Sequence, residues 1–452
     1  MHLPIYTSKQ TARREGLVIS APNRHAALPG FAIASLAKAL ATASLFCVVA
    51  VLVCAAFVKA RATCGLFCDI DTRYNEVSCS HEGVNPFSVW NQEVVHERYQ
   101  GLERPDKPEE RSPGKAKVHA YPPWHTTFFW WYPWLPRGLV CWGMFVFNII
   151  AFLAVGAYFA KRLPLESPWD KALFGLCGIL PCAYVWGSHL ATGNYPILVL
   201  VLFLLMIALL RRGHDMAAGL CWALMMTKPQ MSALAFWPLL LAGKFKTIAT
   251  AVAVVGAATL VPALVYGESP VELVAQIPRI GAPYMRNGVS SGLVAAFGLS
   301  GLASYEKFQL VVAFVGFLAC GALSIVFARS RSWIVRFVPV MLIMPVWTYA
   351  LPQDRTFLVC LSFTLGLVGY CYAERRWGRQ KAKPALYTAM AAETVVVTAF
   401  PAFASLGLLF GFLDKDVVSL VYRTWQSVLY VLACAGCACL AFNVRETDDL
   451  LP

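Results

Sequence analysis

Residues 64–81 read CGLFCDIDTRYNEVSCSH, and they open the longest polar segment of a chain that is otherwise mostly apolar. This segment, Thr63 to Pro136, lies between the first two strongly apolar runs and ends in the aromatic run WHTTFFWWYPW (124–134). It places two carboxylates, Asp69 and Asp71, a few residues after the first apolar run. An acid beside a membrane helix is usually a solvated surface residue. Two acids, the TRY triplet (72–74) and the aromatic YPPW stretch (121–124) around one membrane face suggest a reaction site at the lipid–water boundary.

Composition indicates the class of protein. The 452-residue chain is 58% hydrophobic and 14% charged, whereas soluble domains carry roughly 25% charged residues. Many windows run about 20 residues without a charge, which is enough to cross a hydrocarbon core of about 30 Å. We therefore predict an all-α polytopic membrane protein in contact with membrane lipids.

The net charge of +13 does not indicate nucleic acid as a partner. Lys and Arg collect on the cytoplasmic loops of membrane proteins, and the sequence has no basic, aromatic-interleaved soluble domain. The charge pattern instead predicts an inner (plasma) membrane protein with both termini in the cytoplasm and its active site on the external, periplasmic face.

The apolar runs divide the chain into about 11 units, or about 11–12 spanning segments if one unit is double. We predict a cytoplasmic tail over residues 1–30, a transmembrane domain over 31–442 and a second cytoplasmic tail over 443–452. External loops occupy 59–136, with a short interfacial helix at Trp124–Trp134, and 268–306. The predicted spans are Ile33–Val58, Arg137–Ala160, Ala172–Leu190, Pro196–Leu210, the pair Met216–Met226 and Met231–Ala242, Ile248–Tyr266, Phe308–Ala328, Ile334–Ala350, Phe357–Tyr372, Tyr387–Phe412 and Val417–Phe442.

The fifth unit is interrupted by the sequence TKPQ (227–230). Met216–Met226 is too short to span a bilayer alone, and both flanks of the unit are basic, so both should be cytoplasmic. Either a hairpin-like pair of helices or one helix kinked at Pro229 fits this pattern. Lys228 lies at the break, and a charge at membrane depth is a functional hypothesis by default. Glu393, in a later unit, is a second such charge.

The predicted topology brings the polar external residues to one face. A carboxylate there can accept the proton of an attacking hydroxyl, and Arg or Lys can neutralise a phosphate leaving group. Each of these residues also has a purely structural explanation. External acids are often solvated, Asp354 and Arg355 could form a local ion pair, and Asn194 could serve simply to cap a turn. The candidate catalytic residues are Asp69 and Asp71, the candidates for binding phosphate are Lys228, Arg279, Arg286 and Arg355, and the candidates for binding substrate are Arg73, Tyr74, His119, Tyr121, Trp124, His189, Asn194 and Asn287.

Most of the 15 cysteines lie inside apolar runs, where Cys behaves as a small hydrophobic residue. Cys64, Cys68 and Cys79 lie in the first external loop, so one disulfide among them is conceivable in an oxidising compartment. The Cys64/Cys68 spacing is not completed by a second pair or by a histidine set, so we predict no metal site. The need for a divalent metal is left open.

Several of these motifs resemble glycosyltransferase family 87. The stretch 193–246 begins GNYPILV, passes through a basic-Gly turn and an AGL run, and reaches the Lys-Pro pair at 228–229. The YPP motif at 121–123 and the RNGVSSG loop at 286–292 are also similar to that family. So is the spacing of about 17 residues from Asp69 to Pro86. This sequence differs in having GNY where Gly-Gln is more usual, and in its long charged insertion at 98–117.

The resemblance implies a GT-C-type membrane helix bundle and an inverting sugar transfer. It implies a polyprenyl-phosphate sugar as donor, with mannose or another hexose or pentose, and a lipid or glycan hydroxyl as acceptor on the external face. The base would be an Asp of the first external loop, which the loop spacing makes Asp69. However, DTRYNEV (71–77) also resembles the acidic-TRY pattern of lipid A aminoarabinose transferases, another GT-C group, and that alignment favours Asp71.

Two hypotheses from other functional classes remain, a transporter and a membrane assembly protein. A transporter or flippase of lipid-linked glycans should have repeat symmetry and polar residues near the midplane, but no strong repeat is present and most polar residues gather at one face. In a non-enzymatic membrane assembly protein, the external acids would be incidental.

Overall fold

The computed structural model describes residues 28–86, 121–161, 165–276, 305–344 and 358–378, with residues 347, 356, 380–384, 386 and 436. Regular structure in these residues is helical, without a strand, as predicted. The helices are α1 Leu28–Cys64, α2 Cys68–His81, α3 Trp124–Phe128, α4 Arg137–Ala160, α5 Pro168–Thr192, α6 Pro196–Arg211, α7 Asp215–Met225, α8 Pro229–Ser232, α9 Phe236–Leu241, α10 Phe245–Tyr266, α11 Tyr305–Phe327, α12 Trp333–Arg336, α13 Val338–Ile343 and α14 Leu358–Trp377.

Several predicted features lie outside the described residues. They are most of the first tail and all of the second, the charged insertion at 98–117, most of the 268–306 loop, the last two predicted spans apart from Gly436, and Glu393. The described part of the predicted span Ile334–Ala350 consists of two short helices, α12 and α13, which are separated at Phe337.

Four helices in the described part of the chain are long and apolar enough to cross a membrane. They are α4, α5, α10 and the Ser35–Ala62 part of α1. Three shorter apolar stretches are α6, α7 and Ala313–Phe327 within α11. An all-α membrane protein is therefore confirmed, whereas the full number of spanning segments stays a prediction.

Helix α5 is the central helix of the bundle. In its most apolar window 67% of the residues are buried, against 22%, 33% and 28% for α1, α4 and α10. The other three helices expose large apolar side chains, such as Val51, Ile150 and Leu264. Such faces suit contact with lipid, because lipid tails are as apolar as the side chains themselves.

Helices α1 and α5 run parallel to each other in close contact. Lys38 Nζ lies 2.9 Å from Asp170 Oδ1 at one end of the pair, and the Phe67 N–H donates to the Ala191 carbonyl at 2.6 Å at the other. Between them, Gly187 of α5 faces the backbone carbonyl of Val53, with no room for a Cβ. The glycine lets the two backbones approach, as small residues commonly do between membrane helices.

The interrupted fifth unit is a hairpin. The Lys244 Nζ after α9 lies 2.9 Å from Asp215 Oδ1 at the start of α7. Near the tip, the Trp222 indole N–H donates to the Ser232 carbonyl at 2.9 Å, although ten residues of continuous helix would separate these positions by about 15 Å. Of the two forms that the sequence allows, the structure therefore has the helical pair and not one kinked helix.

The bundle has two chemically different ends. At the basic end, Arg211 ends α6, Lys244 and Arg331 lie in the turns that precede α10 and α12, and Arg336 ends α12. At the opposite end, α1 leads into α2, α5 leads into α6, and the hairpin reaches its tip. We call this opposite end the α2 end.

The beginning of the predicted external loop is more regular than its polar sequence suggests. Helix α1 continues to Cys64, and α2 follows after three residues. The aromatic run forms the five-residue helix α3 and a 3₁₀ turn at Tyr132–Trp134, in place of one helix over Trp124–Trp134. Breaks at Phe129 and Trp131 let the rings of Phe129 and Tyr132 pack inward, whereas Trp131 and Trp134 stay exposed.

Replacing Gly187 by Ala should destabilise the bundle. The new Cβ would meet the Val53 backbone, so α1 would have to shift at an overpacking cost of about 1–3 kcal/mol. Gly256 of α10 has nothing within 4 Å of its Cβ position, so Gly256→Ala is the matched control. We expect a lower midpoint of thermal unfolding in detergent for Gly187→Ala only, because alanine in an open helix position is itself favourable. Equal midpoints for the two variants would contradict the close contact.

Candidate functional site

Helix α2 carries both acids in its first turn, but on different sides. Residues two apart on an α-helix are separated by about 200°, whereas residues four and seven apart share a face. Asp69 therefore shares a face with Arg73 and Glu76, and Asp71 does not. The two carboxylates consequently have different neighbours.

Asn194 holds the carboxylate of Asp69. The Asn194 Oδ1 accepts hydrogen bonds from the Tyr195 backbone N–H at 2.8 Å and from the Tyr121 hydroxyl at 3.0 Å. Because a backbone N–H can only donate, the atom facing it must be the amide oxygen. The amide nitrogen then points the other way and donates to Asp69 Oδ2 at 3.0 Å. The side chain of Asn194 is thus fixed as a donor to the carboxylate.

Gly193 makes this placement possible. It ends α5 with a φ of 73° and donates its N–H to the His189 carbonyl, a left-handed turn that glycine adopts without strain. A Cβ at this position would meet the side chain of Ile70. The Gly-Asn pair therefore both ends the central helix and lets α2 sit directly above it.

Two buried cations lie beside Tyr121. The Arg73 guanidinium carbon is 4.5 Å from the centre of the Tyr121 ring, and Lys228 Nζ is 5.5 Å from it. Arg73 and Lys228 are only 3% and 2% exposed. Arg73 also pairs with the buried Glu76, with Nη1 2.6 Å from Oε2. We call the set of Asp69, Arg73, Glu76, Tyr121, Asn194 and Lys228 the Asp69 cluster.

The hairpin brings Lys228 to this cluster. Lys228 precedes α8 at the tip, and its carbonyl accepts a hydrogen bond from the Ser232 hydroxyl at 3.1 Å. The Trp124 indole N–H donates to the Met226 carbonyl at 2.8 Å, which ties the tip to α3. Trp124, a predicted substrate-binding residue, is thereby placed where it supports the position of Lys228.

A block of aromatic rings backs the cluster. His125 contacts Tyr121, Phe129 and Tyr195 with ring centres 4.6, 4.7 and 5.3 Å apart. The hydroxyls of Tyr132 and Tyr195 are hydrogen-bonded to each other at 2.8 Å. Burial raises the pKa of both hydroxyls above the ordinary value of 10.0, because a phenolate would be poorly solvated there.

Asp71 lies outside the Asp69 cluster. Its Oδ1 is 2.6 Å from Arg137 Nε at the start of α4, and it also accepts from the Cys141 thiol at 3.3 Å. Nearby, the Tyr74 hydroxyl donates to the Leu135 carbonyl at 3.0 Å. These contacts tie the second side of α2 to α4 and the segment before it.

The remaining predicted site residues divide into two groups. His189 is buried in α5, with Nε2 3.1 Å from the Thr356 hydroxyl, so it contacts the residue that follows Arg355. The others lie outside the described residues, and their roles stay predictions: His119, Arg279, Arg286, Asn287 and Arg355.

Four residues of the site region were not predicted from the sequence: Glu76, His125, Tyr132 and Tyr195. The first could have been found, because the spacing Asp69–Arg73–Glu76 is that of one helical face, but the polar segment was not interpreted as a helix. The aromatic residues had no such signal, since their contacts join segments that are distant in the chain.

The structure does not join Cys68 to Cys79 by a disulfide. Both lie on α2, where eleven residues separate them by about 16 Å, too far for a bridge. The side chain of Cys64 is outside the described set. Among the described residues, no group of three His, Cys, Asp or Glu side chains could hold a metal ion.

Comparison with protein families identifies the group to which the chain is related. The model of glycosyltransferase family 87 matches residues 119–347, which is just over half of the chain. The chain belongs to glycosyltransferase family 87. This family implies a membrane glycosyltransferase, in agreement with the apolar helices of the structure. No curated protein and no solved structure gives a significant match.

The matched region of this family 87 protein contains only part of the Asp69 cluster. Tyr121, Asn194 and Lys228 lie within it, whereas Asp69 and Arg73 of α2 precede it. What joins the two parts is tertiary structure, through the hydrogen bond from Asn194 to Asp69 and the contact of Arg73 with Tyr121.

The paired tyrosines predict a loss of stability at alkaline pH. In the unfolded chain both hydroxyls ionise near pH 10, whereas burial keeps them protonated in the folded protein. The protonated tyrosines therefore contribute fully to the free energy of unfolding below about pH 10. This contribution is lost as the pH rises above that value, by up to about 1.4 kcal/mol per pH unit for each tyrosine.

Thermal unfolding at about pH 9 and about pH 11 tests this expectation. The double variant Tyr132→Phe with Tyr195→Phe removes both partners of the hydrogen bond, a change that can be nearly neutral, and it should lose less stability over this interval than wild type. Tyr372→Phe, at an exposed tyrosine, is the control and should follow wild type. A double variant as alkali-sensitive as wild type would contradict the assignment.

Proposed function

We propose that this family 87 protein is an inverting glycosyltransferase with Asp69 as its general base. In this proposal it moves a mannose-like sugar, or another hexose or pentose, from a polyprenyl phosphate to a hydroxyl of a lipid or glycan acceptor. One observation carries the proposal: the Asp69 carboxylate and two buried cations, Arg73 and Lys228, gather around Tyr121 at one end of the bundle.

The first half of the step is the activation of the acceptor. Oδ2 of Asp69 accepts from Asn194, so Oδ1 is the oxygen that we assign to the acceptor hydroxyl. As the hydroxyl oxygen attacks the anomeric carbon, its proton passes to Asp69. Attack on the face opposite to the phosphate inverts the configuration at that carbon.

The second half is the departure of the phosphate. The bond between the anomeric carbon and the phosphate oxygen breaks, and the polyprenyl phosphate leaves with the bonding electron pair and one more negative charge. Arg73 and Lys228 would stabilise that charge, and their burial strengthens the effect because water does not screen them. The Glu76 carboxylate holds the Arg73 guanidinium by an ion pair at 2.6 Å, which would reduce reorganisation during the reaction.

The contacts favour Asp69 over Asp71 as the base. Asp71 already pairs with Arg137 and accepts from Cys141, on a side of α2 that does not face the two buried cations. Asp69 lies one helical turn from Arg73 on the same face. A base and a phosphate-binding cation on one face are what a single displacement reaction requires.

The charge distribution supports the proposed orientation in the inner membrane. The basic end carries Arg211, Arg212, Lys244, Lys246 and Arg331, and such residues collect on the cytoplasmic side. The Asp69 cluster would then face the external, periplasmic side, with both termini in the cytoplasm.

Substitution of Asp69 tests the base directly. Purified wild type, Asp69→Asn and the matched control Asp71→Asn are supplied with a panel of labelled polyprenyl-phosphate sugars and a membrane lipid extract. We expect Asp69→Asn to lower transfer about 10²–10⁴-fold while it stays folded. Asp71→Asn should lose only a few-fold, because it breaks a half-exposed ion pair worth about 0–1 kcal/mol.

Two outcomes would contradict the proposal in different ways. Full activity of Asp69→Asn would exclude Asp69 as the base, and loss of activity in Asp71→Asn alone would assign that role to Asp71. Binding of donor by wild type without consumption of any donor in the panel would favour a transporter or an assembly protein over an enzyme.

Replacing Lys228 by Met should impair the departure of the phosphate. The methionine keeps much of the side-chain volume without the charge, and we expect kcat to fall about 10²–10³-fold, in the range seen for other lost electrostatic groups. Lys228→Arg should recover part of the rate. Lys246→Met, at an exposed lysine near the basic end, is the control. An unchanged kcat for Lys228→Met would rule out contact of Lys228 with the leaving group.

A further inference from the structure

A cavity lies at the basic end, away from the Asp69 cluster. Its volume is about 330 Å³, and its lining comes from the end of α4, the end of α6, the segment from Arg331 into α12, and the middle of α14. Helix α6 separates the two places, since Asn194 precedes its first residue and Arg211 is its last. Sixteen residues of helix correspond to about 24 Å, so the cavity is not part of the proposed active site.

The cavity has a charged part and an apolar part. Arg211 and Arg331 line it and are exposed, whereas Phe159, Ile207 and Leu367 line it and are buried. The arginines therefore lie toward the surface and the apolar side chains toward the interior. A ligand that fits both parts must carry a negative group and an apolar group.

The surroundings of the cavity favour an anion. Trp333, which lines the cavity, has Arg336 and Lys244 over its ring at 5.0 and 5.7 Å. Part of this charge is balanced, because Lys244 pairs with Asp215 at 2.9 Å. The segment from Ser330 to Arg336 is held by a hydrogen bond, in which Arg336 Nε donates to the Ser330 carbonyl at 2.5 Å. Basic pockets between membrane helices are a known way of binding lipid headgroups.

We propose that this cavity binds an anionic phospholipid. Its phosphate lies at Arg211 and Arg331, whose guanidinium groups can bind a phosphate bidentately. The adjoining acyl segment packs against Ile207 and Leu367, and Trp333 lies at the headgroup level, where tryptophan is favoured. A free phosphate shares the anionic chemistry but would leave the apolar part of the cavity without a partner, so we assign the site to the lipid.

Native mass spectrometry of the purified full-length protein tests the assignment. The probes are dioleoyl phosphatidylglycerol, zwitterionic dioleoyl phosphatidylcholine and inorganic phosphate. We expect phosphatidylglycerol to bind about 10-fold tighter than phosphatidylcholine, and Arg211→Ala with Arg331→Ala to remove that difference. The matched control is Arg212→Ala with Arg329→Ala, which removes two exposed arginines that do not line the cavity and should keep the preference.

Three results would overturn the proposal. The first is an equal loss of preference in the control variant, which would mean that general surface charge attracts the lipid. The second is equal binding of the two lipids by wild type. The third is inorganic phosphate binding as tightly as phosphatidylglycerol, which would assign the site to a free anion. The thermal midpoints of both double variants, measured without added lipid, show whether these variants are folded. If a double variant is not folded, one of its two single arginine variants is measured in its place.

Discussion

The close parallel contact of α1 with α5 sets the position of everything at the α2 end. Gly187 lets the two backbones meet, and the hydrogen bond from Phe67 to the Ala191 carbonyl fixes where α1 gives way to α2. Ile70 then rests on Gly193. Asp69, one residue before Ile70, consequently meets Asn194, one residue after Gly193. The carboxylate is thus placed by helix packing, and its own hydrogen bond completes the arrangement.

The hairpin adds a cation, Lys228, from a part of the chain that is distant from α1 and α5. A lysine within an apolar unit must be paired or line a polar site. The turn at TKPQ places Lys228 beside Tyr121, and Trp124 holds the turn from the other side. Arg73 reaches the same ring from α2 and is balanced by Glu76. Two separate segments, α2 and the hairpin tip, therefore contribute charge to one small buried volume, where electrostatic interactions are strong.

The two ends of the bundle use their polar groups differently. In the Asp69 cluster both cations are buried beside the Tyr121 ring, which suits a site that must be organised before a substrate arrives. At the basic end the arginines of the cavity are exposed, and they lie next to an apolar wall. That arrangement suits attraction of a lipid more than chemistry.

The sequence by itself determined the all-α membrane class and an interrupted fifth unit, because length and hydropathy are local properties that the bilayer imposes on each segment. It also brought forward Asp69, Tyr121, Asn194 and Lys228 as candidates through motifs. It left the choice between Asp69 and Asp71 open, since two acids in one polar segment look alike. In the structure the two acids lie on different sides of α2 and have different neighbours. Only tertiary packing added His125, Tyr132 and Tyr195, because their contacts join segments that no local pattern connects, whereas Glu76 pairs locally with Arg73 on α2.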